Sequence, residues 1–119
     1  MNAWEIIVSE SCAAWLEEQN EGDKAVILSK IYLLGEYGPN LGRPHADTLR
    51  GGQMSNLKEL RVKTEAHAFR IAYIFDPDRK GVLLTGGDKK GKNQKKFYKD
   101  LISEAGRIYA AYLEQKKEG

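Results

Sequence analysis

The sequence contains a single cysteine, Cys12, which excludes an internal disulfide. Only three of its 119 residues are proline, and no window of about twenty apolar residues is present. The first ten residues, "MNAWEIIVSE", lack the basic start and long apolar centre of a signal peptide. These absences favour a single domain over residues 1–119 in the reducing cytoplasm, with no membrane association.

Histidine is also scarce, because His45 and His67 are the only two in the chain. Both fall in predicted loops, and neither has a second ligand at metal spacing, so we expect no metal site and no cofactor. A ribonuclease built on this histidine pair is an alternative, although the predicted turn position of His67 weakens it. The segment "GGDKKG" is not a phosphate-binding P-loop, because the spacing of that motif is absent.

The small net charge of +2 hides an uneven distribution along the chain. Residues 1–40 carry two lysines and seven carboxylates, whereas residues 58–99 carry twelve lysines and arginines against five carboxylates, a local charge of +7. Such a basic region favours a polyanionic partner such as RNA or DNA. A solvated lysine-rich loop would explain the same charges, so composition leaves both interpretations open.

Hydrophobic periodicity predicts the element order β-α-α-β-β-β-α. Short links, "TEAH" and "DPDRKG", join the last three strands and predict an antiparallel meander. We therefore expect an α+β fold in which helices cluster on one side of a mostly antiparallel sheet, with a mostly buried first strand and a loop at 40–56. The expected strands are 3–8, 57–63, 68–75 and 82–87, and the expected helices are 9–20, 23–38 and 97–113.

Polar side chains from the central strands are predicted to share one face of this sheet. Alternation places Leu60 and Val62 on the apolar face and Arg61 on the other. Solvated charge is common on an exposed sheet face, but two mid-strand arginines are better suited to phosphate, because the guanidinium group binds it with a fork of donors. The expected polar set is Glu59, Arg61, Lys63, Arg70, Asp88, Lys89 and Lys90.

Several motifs in order resemble the RelE/ParE superfamily of bacterial toxins, and most closely its HigB-like, phage-related branch. The resemblance covers nearly the whole chain and rests on "NLKELRV", "FRIAYIFDP", "VLLTGGDKKG" and "FYKDLISEAGRIYAAYL". The matching positions are Leu57 to Arg61, Arg70, Tyr73, Lys89, Lys90 and Arg107. The lysine motif here lacks the histidine or tyrosine that directly follows it in some RelE-like nucleases.

The resemblance implies the toxin of a type II toxin–antitoxin system, an mRNA endonuclease that acts on ribosome-bound mRNA and arrests translation and growth. It also implies a cognate antitoxin, of the helix-turn-helix type, that neutralises the toxin. The superfamily includes ParE-like members that inhibit DNA gyrase and cleave nothing, and this alternative stays open.

Cleavage of RNA by its own 2′-hydroxyl requires a base, cations that stabilise the phosphorane and an acid for the 5′-oxygen. Arg61 and Arg70 are the candidates for stabilisation, and Glu59 could act as the base or orient Arg61. Lys89 could act as the acid if neighbouring cations lower its pKa, and Asp88 is expected to orient Lys89. No metal is required. The lysines expected to hold the RNA backbone are Lys58, Lys63, Lys90, Lys92, Lys95 and Lys96.

Overall fold

The structure is a computed structural model that describes residues 4–118. Its elements follow the predicted order with two additions, a 3₁₀-helix at Gly38–Asn40 and a short strand inside the segment predicted as a loop. Ala3, at the predicted start of the first strand, lies outside the described residues. The strands are β1 (Glu5–Val8), β2 (Ala46–Thr48), β3 (Lys58–Lys63), β4 (Ala68–Phe75) and β5 (Lys80–Asp88), and the helices are α1 (Glu10–Glu17), α2 (Glu21–Tyr37) and α3 (Gln94–Glu118).

Polar side chains and a glycine set the ends of the first two helices. The Cys12 N–H donates to the Ser9 hydroxyl at 3.0 Å, which caps α1, and the Asp23 N–H donates to the Asn20 side chain at 2.8 Å, which caps α2. Helix α2 ends at Tyr37, and the Gly38 that follows it has a φ of 59°, which most other residues avoid. Among residues 4–118, no helix combines the length and the apolar character that a membrane span requires.

The five strands form one sheet in the order β1-β5-β4-β3-β2. The β3–β4 and β4–β5 pairs are antiparallel, which confirms the predicted meander, and β1 joins the edge in parallel with β5. Because β1 is an edge strand, the prediction that it is mostly buried was wrong: Val8 is 38% exposed. Strand β2 forms the other edge and pairs antiparallel with β3.

The helices cover both faces of the sheet, which corrects the prediction that they cluster on one side. Leu60, Ile71 and Leu83 pack in one cluster with residues of α1 and α2, whereas Ala72 and Val82 pack in a second cluster with residues of α3. Strands β4 and β5 are covered on both sides, so their buried runs are nearly continuous. The polar face predicted to look outward is therefore partly covered by α3.

A buried carboxylate fixes the C-terminal end of α3 to the turn between β4 and β5. The Asp76 side chain accepts hydrogen bonds from the backbone N–H of Asp78 and Lys80 at 2.9 and 3.0 Å, from the Tyr112 hydroxyl at 2.8 Å and from the Lys116 ammonium at 3.0 Å. Burial alone would raise the pKa of Asp76, but these donors outweigh it and hold that pKa below its ordinary value. This anchor holds α3 across the sheet.

Candidate functional site

The β3–β4 register brings the two predicted arginines side by side. Arg61 pairs directly with Arg70, and Glu59 pairs with Ala72, two residues further along the same face. Residues that pair directly across an antiparallel ladder project to the same side of the sheet. Since Ala72 packs in the cluster that contains α3, all three charged side chains lie on the α3 face.

Glu59 forms the centre of this charged cluster. Its side chain is 4% exposed, and its two oxygens accept hydrogen bonds from the Tyr98 hydroxyl at 2.7 Å and the Arg61 Nε at 3.0 Å. The Arg70 Nε lies 3.5 Å from the carboxylate oxygen that Tyr98 contacts. Because both oxygens are already occupied, the geometry favours the orienting role predicted for Glu59 over the role of a base.

Arg61 is held between two carboxylates. Besides Glu59, its guanidinium donates to Asp47 at 3.2 Å, and Asp47 pairs with Glu59 across the β2–β3 ladder. The N–H of Thr48 lowers the pKa of Asp47 most strongly; desolvation opposes it, and the Arg43 and Arg61 cations lower the pKa further. The Arg61 side chain remains 33% exposed, so part of its guanidinium faces solvent.

Arg70 and Lys89 complete the cationic part of the cluster. Arg70 is 12% exposed, and its Nε donates to the Tyr98 hydroxyl at 3.3 Å. The Lys89 ammonium lies 5.9 Å from the centre of the Tyr98 ring. Burial lowers the pKa of Lys89 most, and the Arg70 cation lowers it further, with Glu59 acting in the opposite direction. The neighbouring cations Arg70 and Arg61 thus lower the pKa of Lys89 in the predicted direction, but burial is the main cause.

A break in strand alternation explains why Lys89, rather than Asp88, reaches this cluster. Between Ala72 and Tyr73 the β4–β5 register shifts by one residue of β5, so that Thr85 follows Leu83 in the pairing. Since side chains alternate with a period of two, such a shift exchanges the faces of every later residue. Asp88 then pairs with Phe69 on the α1–α2 face of the sheet.

The predicted role of Asp88 in orienting Lys89 does not fit this placement. Its carboxylate lies 2.6 Å from the Nδ1 of His67 and accepts from the Ala68 N–H at 3.0 Å. Burial alone would raise the pKa of Asp88, but the Ala68 N–H, His67 and the Lys90 N–H together hold it below its ordinary value. Asp88 thus fixes the start of β4 rather than the Lys89 side chain.

The polar contacts described for the imidazoles of His45 and His67 reach neither the arginines nor each other, although the backbone carbonyl of His45 accepts from the Arg61 N–H at 2.8 Å. The Nε2 of His67 lies 3.4 Å from Asp23 on α2, on the face opposite the arginines. The Nδ1 of His45 lies 2.8 Å from the Lys30 ammonium. This arrangement does not bring the two imidazoles together as the alternative histidine-pair mechanism requires.

The predicted RNA-binding lysines are less uniform than the sequence suggested. Lys58 lies on the α1–α2 face and donates to the Pro39 carbonyl at 3.0 Å, so it does not belong with the arginines. The Lys90 ammonium donates to the Glu65 carbonyl at 3.1 Å, and that of Lys96 donates to Asp100 at 2.9 Å. The exposed lysines of the predicted set are Lys63, Lys90, Lys92, Lys95 and Lys96.

Two members of the cluster were not among the predicted site residues. Asp47 lies on β2, whose three residues carry no alternation long enough to indicate a strand. The position of Tyr98 could have been predicted from the sequence, because Tyr98 precedes the buried Leu101 by three residues and helical spacing places both on the same side of α3. Asp47 and Tyr98 thus join Glu59, Arg61, Arg70 and Lys89, which the structure brings together as predicted.

Comparisons with known proteins agree with this fold and motif order. Residues 14–110 match the family model of the phage-derived Gp49-like proteins. HigB2 of Mycobacterium tuberculosis, named as a toxin, is 35% identical over 107 residues, which cover 89% of this chain and 53% of that protein. HigB3 of the same organism, also named as a toxin, is 37% identical over 97 residues and 82% of each chain. The chain thus spans about half the length of HigB2.

Solved structures support the fold at much lower identity. A mutant of the Escherichia coli toxin RelE in the free state superposes with a TM-score of 0.61 at 15% identity, over 90% of this chain and 97% of that chain. RelBE2, a toxin–antitoxin complex of M. tuberculosis, gives 0.56 at 14% identity, over 71% of this chain and 96% of the matched one. The chain therefore belongs to the phage-derived Gp49-like family, is a HigB-like protein and has the fold of RelE.

Proposed function

We propose that this chain is the toxin of a type II toxin–antitoxin system and that it cleaves mRNA on the ribosome, without a metal ion, to stop translation and growth. The names of its HigB relatives support the toxin role. The observation that carries the nuclease role is the cluster in which a buried Glu59 holds Arg61 and Arg70 beside Lys89. A cation cluster of this kind suits a reaction that builds negative charge on phosphate.

In the proposed reaction the 2′-oxygen attacks the adjacent phosphorus, and the bond from phosphorus to the 5′-oxygen breaks. The products are a 2′,3′-cyclic phosphate and a 5′-hydroxyl: the proton of the 2′-hydroxyl leaves to solvent water, because both oxygens of Glu59 are occupied, and the 5′-oxygen gains one proton. Arg61 and Arg70 stabilise the phosphorane through their fixed donors. Lys89 gives the proton to the 5′-oxygen, since its lowered pKa makes it a better acid than an ordinary lysine.

Glu59 serves this reaction as a positioning residue. Glu59 holds the Nε of Arg61 and approaches that of Arg70, Asp47 holds the Nη2 of Arg61, and the Phe69 carbonyl holds the Nη1 of Arg70. The Nη1 of Arg61 and the Nη2 of Arg70 then remain to meet a phosphate. Because Glu59 is buried and contacts three partners, its negative charge also offsets the repulsion between the two adjacent arginines. The arrangement is therefore set before substrate binds, which is what electrostatic stabilisation of a transition state requires.

A cognate antitoxin completes the proposal. The matched RelBE2 structure is a toxin–antitoxin complex, and we propose that a protein of the helix-turn-helix type, expected from an adjacent gene, binds and neutralises this chain in the cytoplasm. Co-expression with that gene should restore growth, and the two proteins should purify together. Continued arrest at verified co-expression would argue against this partner.

The test of the proposed function is induced expression in bacteria, with growth measured and mRNA 5′ ends mapped. We expect growth arrest and new ends within coding regions, and the Arg70→Ala variant should produce neither at equal protein level. Purified protein that has been stripped of metal with EDTA, and then returned to the Mg²⁺ buffer that intact ribosomes require, should give the same ends on ribosome-bound mRNA. Arrest without new mRNA ends, together with reduced DNA supercoiling, would replace the nuclease by a gyrase inhibitor.

A further inference from the structure

A groove of about 770 Å³ runs between α3 and the segment 50–54. It lies outside the cluster of Glu59, Arg61, Arg70 and Lys89, which is called the arginine cluster below. Gly51 and Gly52 form its outer wall with positive φ angles, and the Gly52 backbone packs so closely on α3 that a Cβ there would lie 2.7 Å from Ile102. The volume falls within the range of roughly 300–1,000 Å³ found for small-ligand sites. The groove is therefore a formed feature of the surface that packing of this segment on α3 creates.

The lining of the groove is strongly cationic. Arg50, Lys95, Lys99 and Arg107 line it, and no carboxylate is among the described residues that do. Within residues 4–118, the side chains of Arg50, Lys95 and Lys99 have no described ion pair, and Arg107 lies only within 3.9 Å of Glu104. Four cations line the groove, and three of them have no described carboxylate partner, so the groove attracts an anion such as a phosphate.

Apolar and hydrogen-bonding groups accompany these charges. Met54 and Ile102 supply apolar surface, and Gln53 and Ser103 supply donors and acceptors. A lone phosphate has no use for an apolar surface, whereas a nucleotide presents both a phosphate and a flat base. Single-stranded nucleic acid is commonly held by this combination of basic groove and packing surface for bases.

Tyr98 connects the groove to the arginine cluster. Its ring lines the groove, while its hydroxyl donates to Glu59 and accepts from Arg70. A strand whose phosphate lies at Arg61 and Arg70 can thus continue past the Tyr98 ring directly into the groove. The two sites are adjacent parts of one surface, with Tyr98 as their shared wall.

We propose that this groove binds a nucleotide of single-stranded RNA next to the one at the arginine cluster. Its phosphate lies among Arg50, Lys95, Lys99 and Arg107, and its base packs on Met54 and Ile102. The proposal rests on the proposed function for the identity of the ligand, but it concerns binding and not cleavage. The groove thereby determines where the RNA strand runs on the protein.

The experiment uses the full chain and a short 2′-O-methyl RNA, which lacks the hydroxyl that cleavage requires. Fluorescence anisotropy at several salt concentrations compares wild type with the double variant Arg50→Gln/Lys99→Gln. The matched control, Lys80→Gln/Lys117→Gln, removes the same charge, and Lys117 lies about 27 Å along α3 from Lys99 at 1.5 Å per residue. A 4-thiouridine in the same RNA then maps the contacts by photo-crosslinking.

We expect the groove variant to bind about tenfold more weakly and its salt slope to become shallower by up to about 0.7, the value for the one phosphate that the groove holds. The control should change binding less than twofold, and crosslinks in the wild type should fall in 50–54 or 98–107. Equal effects in groove variant and control, no crosslink in those segments, or no RNA binding by the wild type would each overturn the proposal. Normal RNA binding with loss of antitoxin binding would make the groove a protein-docking surface instead.

These binding data, together with cleavage assays on ordinary RNA, separate this proposal from the nuclease proposal. If the groove variant loses RNA binding while the wild type never cleaves ordinary RNA, the groove stands and the nuclease assignment falls. If cleavage depends on Arg70 while the groove variant binds RNA normally, the nuclease assignment stands and the groove proposal is wrong.

Discussion

Near each end of helix α3, a tyrosine hydroxyl donates a hydrogen bond to a buried carboxylate. The two sites differ in the other groups that surround the carboxylate. Near the N-terminal end, Tyr98 donates to Glu59 at 2.7 Å, and near the C-terminal end Tyr112 donates to Asp76 at 2.8 Å. Both carboxylates also meet cations, two arginines at Glu59 and Lys116 at Asp76.

The other hydrogen-bond partners of the two carboxylates distinguish a structural anchor at Asp76 from a candidate catalytic site at Glu59. Asp76 also accepts two backbone N–H groups of its own turn, so its bonds fix the chain itself. Glu59 accepts from side chains, and the arginines it holds keep donors at the surface beside Lys89. The same tyrosine–carboxylate contact therefore joins α3 to a turn at one end and orders a group of cations at the other.

The largest expected effect is loss of activity on removing either arginine of the Glu59 cluster. Arg61→Ala and Arg70→Ala should each slow RNA cleavage at least about 100-fold, which corresponds to about 3 kcal/mol of lost transition-state stabilisation. Both proteins should stay folded, because Glu59 keeps Tyr98 and the other arginine as partners. Single-turnover cleavage rates and circular dichroism measure the two properties.

The matched control is Lys116→Ala, which removes a cation from the other buried carboxylate. It should lower stability and leave the cleavage rate unchanged. If the Lys116 variant loses activity as the arginine variants do, the two ends of α3 are not functionally distinct and the comparison fails.

The second effect is on stability, at the Asp76 anchor. Asp76→Asn should lower the free energy of unfolding by about 2–3 kcal/mol, because hydrogen bonds to a charged group are stronger than neutral ones and the side chain is fully buried. Urea unfolding measures this loss, and the cleavage rate of the folded fraction should stay at the wild-type value. A loss below about 0.5 kcal/mol would contradict the role of Asp76 as the anchor of α3.

The Asp76 anchor should also depend on pH in a defined direction. Because the pKa of Asp76 is lower in the folded protein than in the unfolded chain, its ionised form favours the folded state. The stabilisation is fully present above the unfolded value of about 3.9 and is lost as the pH falls through the folded value. The difference in unfolding free energy between wild type and Asp76→Asn should therefore be constant from about pH 7 to 5 and shrink below about pH 4.

Alternation in single strands was enough to predict the centre of the site. The pattern of β3 and β4 places Arg61 and Arg70 on one face, and antiparallel pairing over a short turn brings them opposite each other. That part is local, because it depends on a period of two and on one tight connection. The same local reasoning predicted that the second helix ends at Gly38, close to its observed end at Tyr37.

Features that depend on distant parts of the chain could not be predicted from the sequence in the same way. The apolar stripe of α3 indicates that it packs on the sheet but not on which face, and the prediction of one helical side was wrong for this reason. The register shift at Ala72 and Tyr73 leaves no mark in the run "VLLTGGDKKG", yet it decides that Lys89 and not Asp88 faces the arginines. Strand β2 was missed because three residues cannot show a period.

The two tyrosines offer the closest matched pair for sharpening the comparison. Tyr98→Phe and Tyr112→Phe each remove one hydroxyl from a buried carboxylate, so each should cost about 1–1.5 kcal/mol of stability. Tyr98→Phe should in addition slow cleavage about tenfold, because Glu59 and Arg70 lose the group that positions them. Unfolding curves and cleavage rates of the pair measure this, and equal rates in both variants would remove Tyr98 from the site.

The smallest expected effect concerns the lysines at the N-terminal end of α3, where Lys92 and Lys96 are exposed. Lys96 pairs with Asp100 at the surface, a contact worth little stability, so Lys92→Gln/Lys96→Gln should unfold like the wild type. Its RNA affinity at about 0.1 M salt should fall only about threefold, and its salt slope should become shallower by up to about 1.4 if each lysine meets one phosphate. The control Lys80→Gln/Lys117→Gln again removes two charges away from the site. A slope equal to that of the control would identify the lysines after "GGD" as a solvated flank and confine RNA binding to the cluster and the groove.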